Sequence, residues 1–280
     1  MVSYLTPERR NRLALLGPTL RYLSATEVHV YALAISASVL LSFFPFCNVM
    51  LSFCRNVLHW HAAEEAIYLA LNDYFPGEMA SFLRRNLTLQ GNLQWTSMLL
   101  LLFTANGIFE PLEVALNRAW GEVTNRSYLK NQAVALGMIF LCGALALASL
   151  MLTALNKEWL AKWDSIGALQ GWLNLLMFKL AAVPISILAL FLVYWLLPNK
   201  KIPPAKVVLP AIVVGLMLEG LKYVNLAITP YLQKKLEHEY FIFRYSVAIL
   251  LWSFVASMVV LGGAEWTARE HAKGEEEIAV

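Results

Sequence analysis

Apolar residues fall along this chain in six long runs, at roughly 29–54, 93–115, 132–155, 172–197, 207–229 and 241–264. Each is long enough for a helix rising about 1.5 Å per residue to cross a hydrocarbon layer of roughly 30 Å. The runs are continuously apolar instead of alternating with period two, so they predict spanning helices and not the strands of a barrel. The expected fold is all-α, a polytopic membrane protein with six transmembrane helices. The runs 132–155 and 241–264 are the cleanest; the second and fifth carry charge.

Between the first two runs, Ala66, Leu69, Leu71, Phe75, Met79, Phe82 and Leu83 are interspersed with Glu64, Glu65, Asp73 and Glu78. That pattern predicts short amphipathic helices in the loop 55–92, broken at Pro76 and Gly77, which lie in the interface or cap the bundle. The division expected is a cytoplasmic N-terminal segment (1–28), a membrane domain (29–264, with external loop 55–92) and a cytoplasmic tail (265–280).

Composition strengthens the membrane reading. Apolar residues make up 59% of the 280 positions and charged residues 15%, with mean hydropathy +0.58; a soluble domain carries roughly a quarter charged residues. The net charge of +3 is mild, and the Lys and Arg residues sit in short connecting segments and not on one basic face. No nucleic-acid partner is expected. Cys47, Cys54 and Cys142 lie in or beside apolar runs, and their odd number makes a poor disulfide framework. The first residues, with Arg9, Arg10 and Arg12, are too polar for a signal-peptide core.

An even number of spans puts both termini on one side. Twelve Lys or Arg fall in the segments on that side and seven in the loops on the other, which by the positive-inside rule makes the termini cytoplasmic.

Ionisable groups inside the apolar runs are the candidate chemistry, because a charge in the bilayer needs a partner or a wet cavity. Glu110 and Glu113 lie near the end of the second run, with Asn106 one turn before Glu110 and Pro111 directly after it. Glu219 and Lys222 lie within the fifth at i, i+3 spacing, on one helical face. Asn106, Glu110, Glu219 and Lys222 are the candidate pathway or substrate-binding residues. For Glu219 and Lys222, a structural salt bridge and a polar lining of a substrate path stay equally open. Lys179, early in the fourth run, can snorkel to the interface. His59 and His61 form a lone pair without further ligands, so no metal is expected. The chain has no Gly-x-Ser-x-Gly elbow, His-Glu-x-x-His or phosphate-binding loop. No catalytic residue and no cofactor is expected.

Four stretches carry a resemblance over roughly residues 20–270. They are Ser42-Phe43-Phe44-Pro45 in the first run, Asn117 and Trp120 after the second, Tyr194 with Pro198-Asn199 closing the fourth, and Gly262-Gly263-Ala264-Glu265 closing the sixth. In their order and placement the chain resembles the YihY/BrkB family of bacterial inner-membrane proteins, formerly labelled ribonuclease BN. The basic run that follows the tryptophan in that family is thinned here by Gly121, Glu122, Val123 and Thr124, leaving Arg126 and Lys130. The resemblance implies an inner-membrane protein linked with envelope integrity and lipid movement, and it transfers no catalytic residue.

For the matched positions physical roles can be stated. Pro45, Pro111 and Pro198 kink or end helices, Asn117 and Trp120 suit a cytoplasmic interface, and Glu265 bonds a helix start or a basic loop residue such as Lys200. The expected function is transport of a lipid or other amphipathic solute through a groove between helices. Its expected partners are membrane lipids and envelope lipid-transfer proteins. The alternative is a non-catalytic scaffold for an envelope assembly; a ribonuclease or intramembrane enzyme fits least, since the cytoplasmic segments are too short for a nuclease domain. The oligomeric state is left open by the sequence.

Overall fold

The computed structural model describes residues 17–75, 77–88, 95–122, 126–161, 183–200 and 202–279. These residues form helices with no strand among them: α1 (17–23), α2 (Thr26–Asn56), α3 (His61–Tyr74), α4 (Glu78–Thr88), α5 (Trp95–Ala119), α6 (Tyr128–Ala161), α7 (Val183–Leu196), α8 (Pro204–Tyr240) and α9 (Arg244–Ala279). A single 3-10 turn, Phe241–Phe243, joins α8 to α9.

Among the described residues, four helical stretches are long and apolar enough to cross a membrane: α2, Leu129–Ser149 of α6, α8, and Arg244–Arg269 of α9. The second run is helical over Trp95–Ala119, and the fourth is described over its second half only, as a shorter apolar helix, Val183–Leu196. Lys179 lies outside the described residues.

Chain direction alternates through the bundle. At one end the start of α2 meets the end of α5 through Glu27 and Arg118, 2.7 Å apart. The segment leading into α6 reaches the end of α7 through Arg126, and the start of α8 (Val207, Ala211) shares a buried cluster with Leu261 and Ala264 of α9. This is the motif end. At the opposite, capped end, Cys47, Met50, Leu51 and Cys54 of α2 pack with Ala63, Ala66 and Ile67 of α3, Met79, Leu83 and Leu87 of α4, and Leu236 and Ile249 of α8 and α9.

The cap follows from its sequence. Ala63, Ala66 and Ile67 of α3 and Met79, Leu83 and Leu87 of α4 are apolar and buried at helical spacing, while Glu65, Asn72, Arg84, Arg85 and Asn86 are exposed. The chain turns between them at Gly77, whose φ of +75° suits a residue without a Cβ; Pro76 is outside the described residues. Arg55 pairs with Glu64 and so ties the end of α2 to the first turn of α3. Arg244 holds Glu78 at 3.2 Å and Glu237 at 2.5 Å, tying α4 to the α8–α9 corner. Phe82 stacks on Tyr245 at 4.5 Å, and Phe43 meets Phe75 edge to face at 5.4 Å.

Pro45 and Pro111 sit inside continuous helices and end neither. What sets the close α2–α5 crossing is Gly107: a Cβ there would lie 2.6 Å from the Ser38 hydroxyl. Small residues let spanning helices approach closely where lipid gives no hydrophobic drive for association. Large apolar side chains such as Leu41, Leu99, Phe103, Leu209 and Leu216 point outward, which in water would be a liability and in lipid is a match. The apolar run ends at Ala264 but α9 continues to Ala279, because the tail is rich in Glu and Ala, which are strong helix formers.

Candidate functional site

The charged pair of the fifth run belongs to a longer polar stripe. Glu219, Lys222, Asn225 and Thr229 recur at three- and four-residue steps and share one face of α8. Lys222 Nζ lies 2.5 Å from Glu219 Oε1. Asn225 Nδ2 donates to the Tyr74 carbonyl at 2.7 Å, and the Thr229 hydroxyl donates to the Asn225 carbonyl at 2.7 Å. Tyr74, at the end of α3, also presents its ring 5.2 Å from Lys222 Nζ, with the Tyr223 ring at 5.7 Å. Such aromatic faces attract a cation most strongly where water is scarce. The Lys222 side chain is 7% exposed and that of Glu219 22%, so the carboxylate is the more accessible partner.

Two clefts meet at this pair. One, of about 460 Å³, is lined by α2, α3, α6, α7 and α8, with Phe43, Phe46, Leu145 and Ile185 among its apolar walls. The other, of about 410 Å³, lies between α7, α8 and α9 beside Leu218, Trp252 and Ala256. Tyr74, Phe75, Ser186, Ala189, Glu219 and Lys222 line both. Each volume is in the range of small-ligand sites. Lys222 lies eighteen residues into α8, about 27 Å along its axis, so the pair sits toward the capped end of the apolar thickness.

The four candidate pathway residues therefore separate. Glu219 and Lys222 are together in the cleft, whereas Glu110 is exposed on α5 and lines neither cleft. The side chain of Asn106 is outside the described residues. Glu113, beside them in sequence, is buried and faces Arg126 at 3.5 Å.

Three of the four motif stretches meet at the motif end; the fourth, Ser42–Pro45 of α2, lies toward the cap, where Phe43 packs on Phe75 and lines the cleft of about 460 Å³. Asn117 Oδ1 accepts the backbone N–H of Asn199 at 2.7 Å. Arg126 donates to the carbonyls of Leu197 and Pro198 at 3.1 and 3.0 Å, so one arginine anchors the turn after α7 despite the thinned basic run. The Tyr194 hydroxyl donates to the Val260 carbonyl at 2.7 Å, and a Cβ on Gly263 would lie 2.7 Å from that hydroxyl. Trp120 is buried in the same cluster. Glu265 accepts from the Thr19 hydroxyl at 2.5 Å and pairs with Arg269 at 3.5 Å; its partners are these and not Lys200. Burial, with Glu265 close by, pushes the Tyr22 phenol up to about 12.

The family model described as virulence factor BrkB matches residues 19–279. The chain belongs to the BrkB family. It is 24% identical over 258 residues to a UPF0761 membrane protein of Acinetobacter baylyi, covering 88% of this chain. The chain spans 59% of the length of that relative. No solved structure matches significantly. In this BrkB-family chain Asn117, Tyr194 and Glu265 bond groups on other segments at the motif end, while Phe43 of the first motif borders the open space around Lys222.

Tyr74, Asn225 and Thr229 are site residues that the sequence reading missed. Asn225 and Thr229 were signalled by the continuation of the Glu219–Lys222 stripe along α8. Tyr74 had no such signal, because its contact depends on how α3 folds back on the bundle. Among the described residues no three His, Cys, Asp or Glu side chains group as metal ligands.

Proposed function

We propose that this BrkB-family protein moves a lipid or other amphipathic solute between helices, as a six-span protein of the bacterial inner membrane with cytoplasmic termini and without hydrolytic chemistry. One observation carries the reading: two confluent clefts with largely apolar walls meet at an ion pair inside the apolar thickness. A structural salt bridge alone would be enclosed by packed side chains, whereas here the carboxylate borders open volume. Acyl chains can stay against the apolar walls while the polar end passes the pair, so only the headgroup has to leave water. The alternating helix directions at the motif end support six crossings, and the lysine and arginine distribution supports the orientation. Envelope lipid-transfer proteins are natural acceptors for such a cargo.

The test is lipid retention. Protein extracted gently from membranes should carry lipid detectable by mass spectrometry, and Ala189→Trp, which puts a bulky ring on the wall that both clefts share, should reduce that lipid severalfold without loss of monodispersity. Equal lipid in the parent and Ala189→Trp proteins would remove the clefts from the account and leave a scaffold as the better reading.

A further inference from the structure

One face of α8 changes character at Glu219. Toward the motif end, three- and four-residue steps place Val207, Ala211, Val214, Gly215 and Leu218 on it. Toward the cap the same face carries Glu219, Lys222, Asn225, Thr229 and Gln233. The apolar half is closed by packing: Val207, Ala211 and Val214 are buried in one cluster with Tyr194, Leu197 and Leu261. A Cβ on Gly215, one turn from Glu219, would lie 2.7 Å from Ile187 of α7. The polar half, from Glu219 to Gln233, covers about 21 Å of the helix axis and ends at the cap.

Beyond Asn225 the polar half borders a small cavity of about 20 Å³ between α8, α9 and the cap. That is room for a single water, which needs two to four polar partners to stay. Thr229, Gln233, Arg244 and Tyr245 stand in the cavity wall to supply them. The Tyr245 hydroxyl accepts from Arg244 at 2.8 Å and keeps its own proton to donate, while the Thr229 oxygen donates to the Asn225 carbonyl and keeps acceptor positions. Phe75, Asn225 and Trp252 line both this cavity and the cleft of about 410 Å³ at Lys222, so the two share a wall. On its outer side, Arg244 is half-buried and pairs with Glu78 and Glu237, both exposed. We propose that this cavity is a water site and the narrow part of a hydrated path, by which water and small hydrophilic ions reach the Glu219–Lys222 pair from the capped face and not from the motif end. The inference adds to the transport reading the face from which its site is hydrated; lipid retention does not depend on it, so either can fail alone.

Radiolytic footprinting reads the water site, because hydroxyl radicals made from a bound water oxidise the side chains beside it. Met79 is buried on the cavity wall, and Met138 is buried at the motif end. As residues of one type they differ only in the water near them. In the full chain in nanodiscs, Met79 should be oxidised severalfold faster than Met138. Thr229→Val with Gln233→Leu makes the wall apolar and should bring Met79 down to the Met138 rate, since apolar cavities stay dry; Thr229→Ser should keep the parent rate. Met79 as slow as Met138 in the parent, or a Met79 rate that the folded apolar variant leaves unchanged, overturns the water site. The face of entry is read with silver ion, small enough to follow a water path, applied to one side of sealed vesicles. In a chain freed of Cys47, Cys54 and Cys142, Ser253→Cys stands in the cleft wall. Silver should block it from the side on which Arg84→Cys reacts and leave it free from the other. Blocking from the motif side, or from neither side, overturns entry by the capped face.

Discussion

The two ends of this bundle use polar groups in opposite ways. At the motif end, Asn117, Arg126, Tyr194 and Glu265 come from different segments and are spent on backbone and hydroxyl groups of other segments, around a cluster that includes Leu116, Leu197 and Leu261. Toward the capped end, Glu219 and Lys222 pair within one turn of one helix and border open space. A satisfied polar network fixes a structure, because each member left unpaired would carry its full desolvation cost. A pair on the wall of a cleft can still serve a ligand. Three of the four motif stretches thus mark the part that holds the helices in register, while Phe43 of the remaining one borders the candidate site.

Substitutions can break this contrast, and their sizes should differ in a set order. Gly263→Leu would push a side chain into Tyr194 and Val214; overpacking there should cost about 3 kcal/mol of stability, seen as a large drop in thermal unfolding temperature in detergent. Lys222→Ala and Glu219→Ala should each cost about 2 kcal/mol, because each removes the ion-pair contact from a partly or fully buried partner charge, with the double variant less harmed than either single. Additive losses in that cycle would show that the pair is not coupled. Asn117→Ala should cost about 1–2 kcal/mol by orphaning the Asn199 N–H, with lipid retention per folded molecule unchanged. Arg118→Ala, which breaks an exposed pair with Glu27, should move stability by no more than about 0.5 kcal/mol.

Much of the fold was legible because membrane helices write their presence as long apolar runs. All six runs coincide with helix wherever the chain is described, and the short cap helices α3 and α4 were visible in the apolar spacing around Gly77. The ends of elements were less visible. The continuation of α9 to Ala279 depends on helix propensity once the apolar signal has stopped. Pro45 and Pro111 were expected to kink or end helices; neither ends one, since α2 and α5 continue through them, and the tight Gly107–Ser38 approach governs their crossing.

For the site, the i, i+3 spacing of Glu219 and Lys222 brought out the pair correctly, since helical geometry alone decides that contact. A groove joining Lys222 to Glu110 was expected, but these two stand apart: Glu110 faces outward on α5 and lines neither cleft. Which face of one helix meets which face of another is a tertiary property that spacing within a helix does not encode. The same reason hid Tyr74, whose approach to Lys222 needs α3 folded against the bundle and held by Asn225.

Solvent access to the cleft is the most direct measurement of this account. In a chain with Cys47, Cys54 and Cys142 replaced by Ala or Ser, single cysteines would be placed at Ala189, in the cleft wall, at Leu197, buried at the motif end, and at Arg84, exposed on the cap. A small charged thiol reagent applied to native membranes opened to both faces should modify positions 84 and 189 and leave 197 silent. If position 189 stays as silent as 197 while 84 reacts fully, the cleft is a closed part of the core and the Glu219–Lys222 pair is only a structural salt bridge.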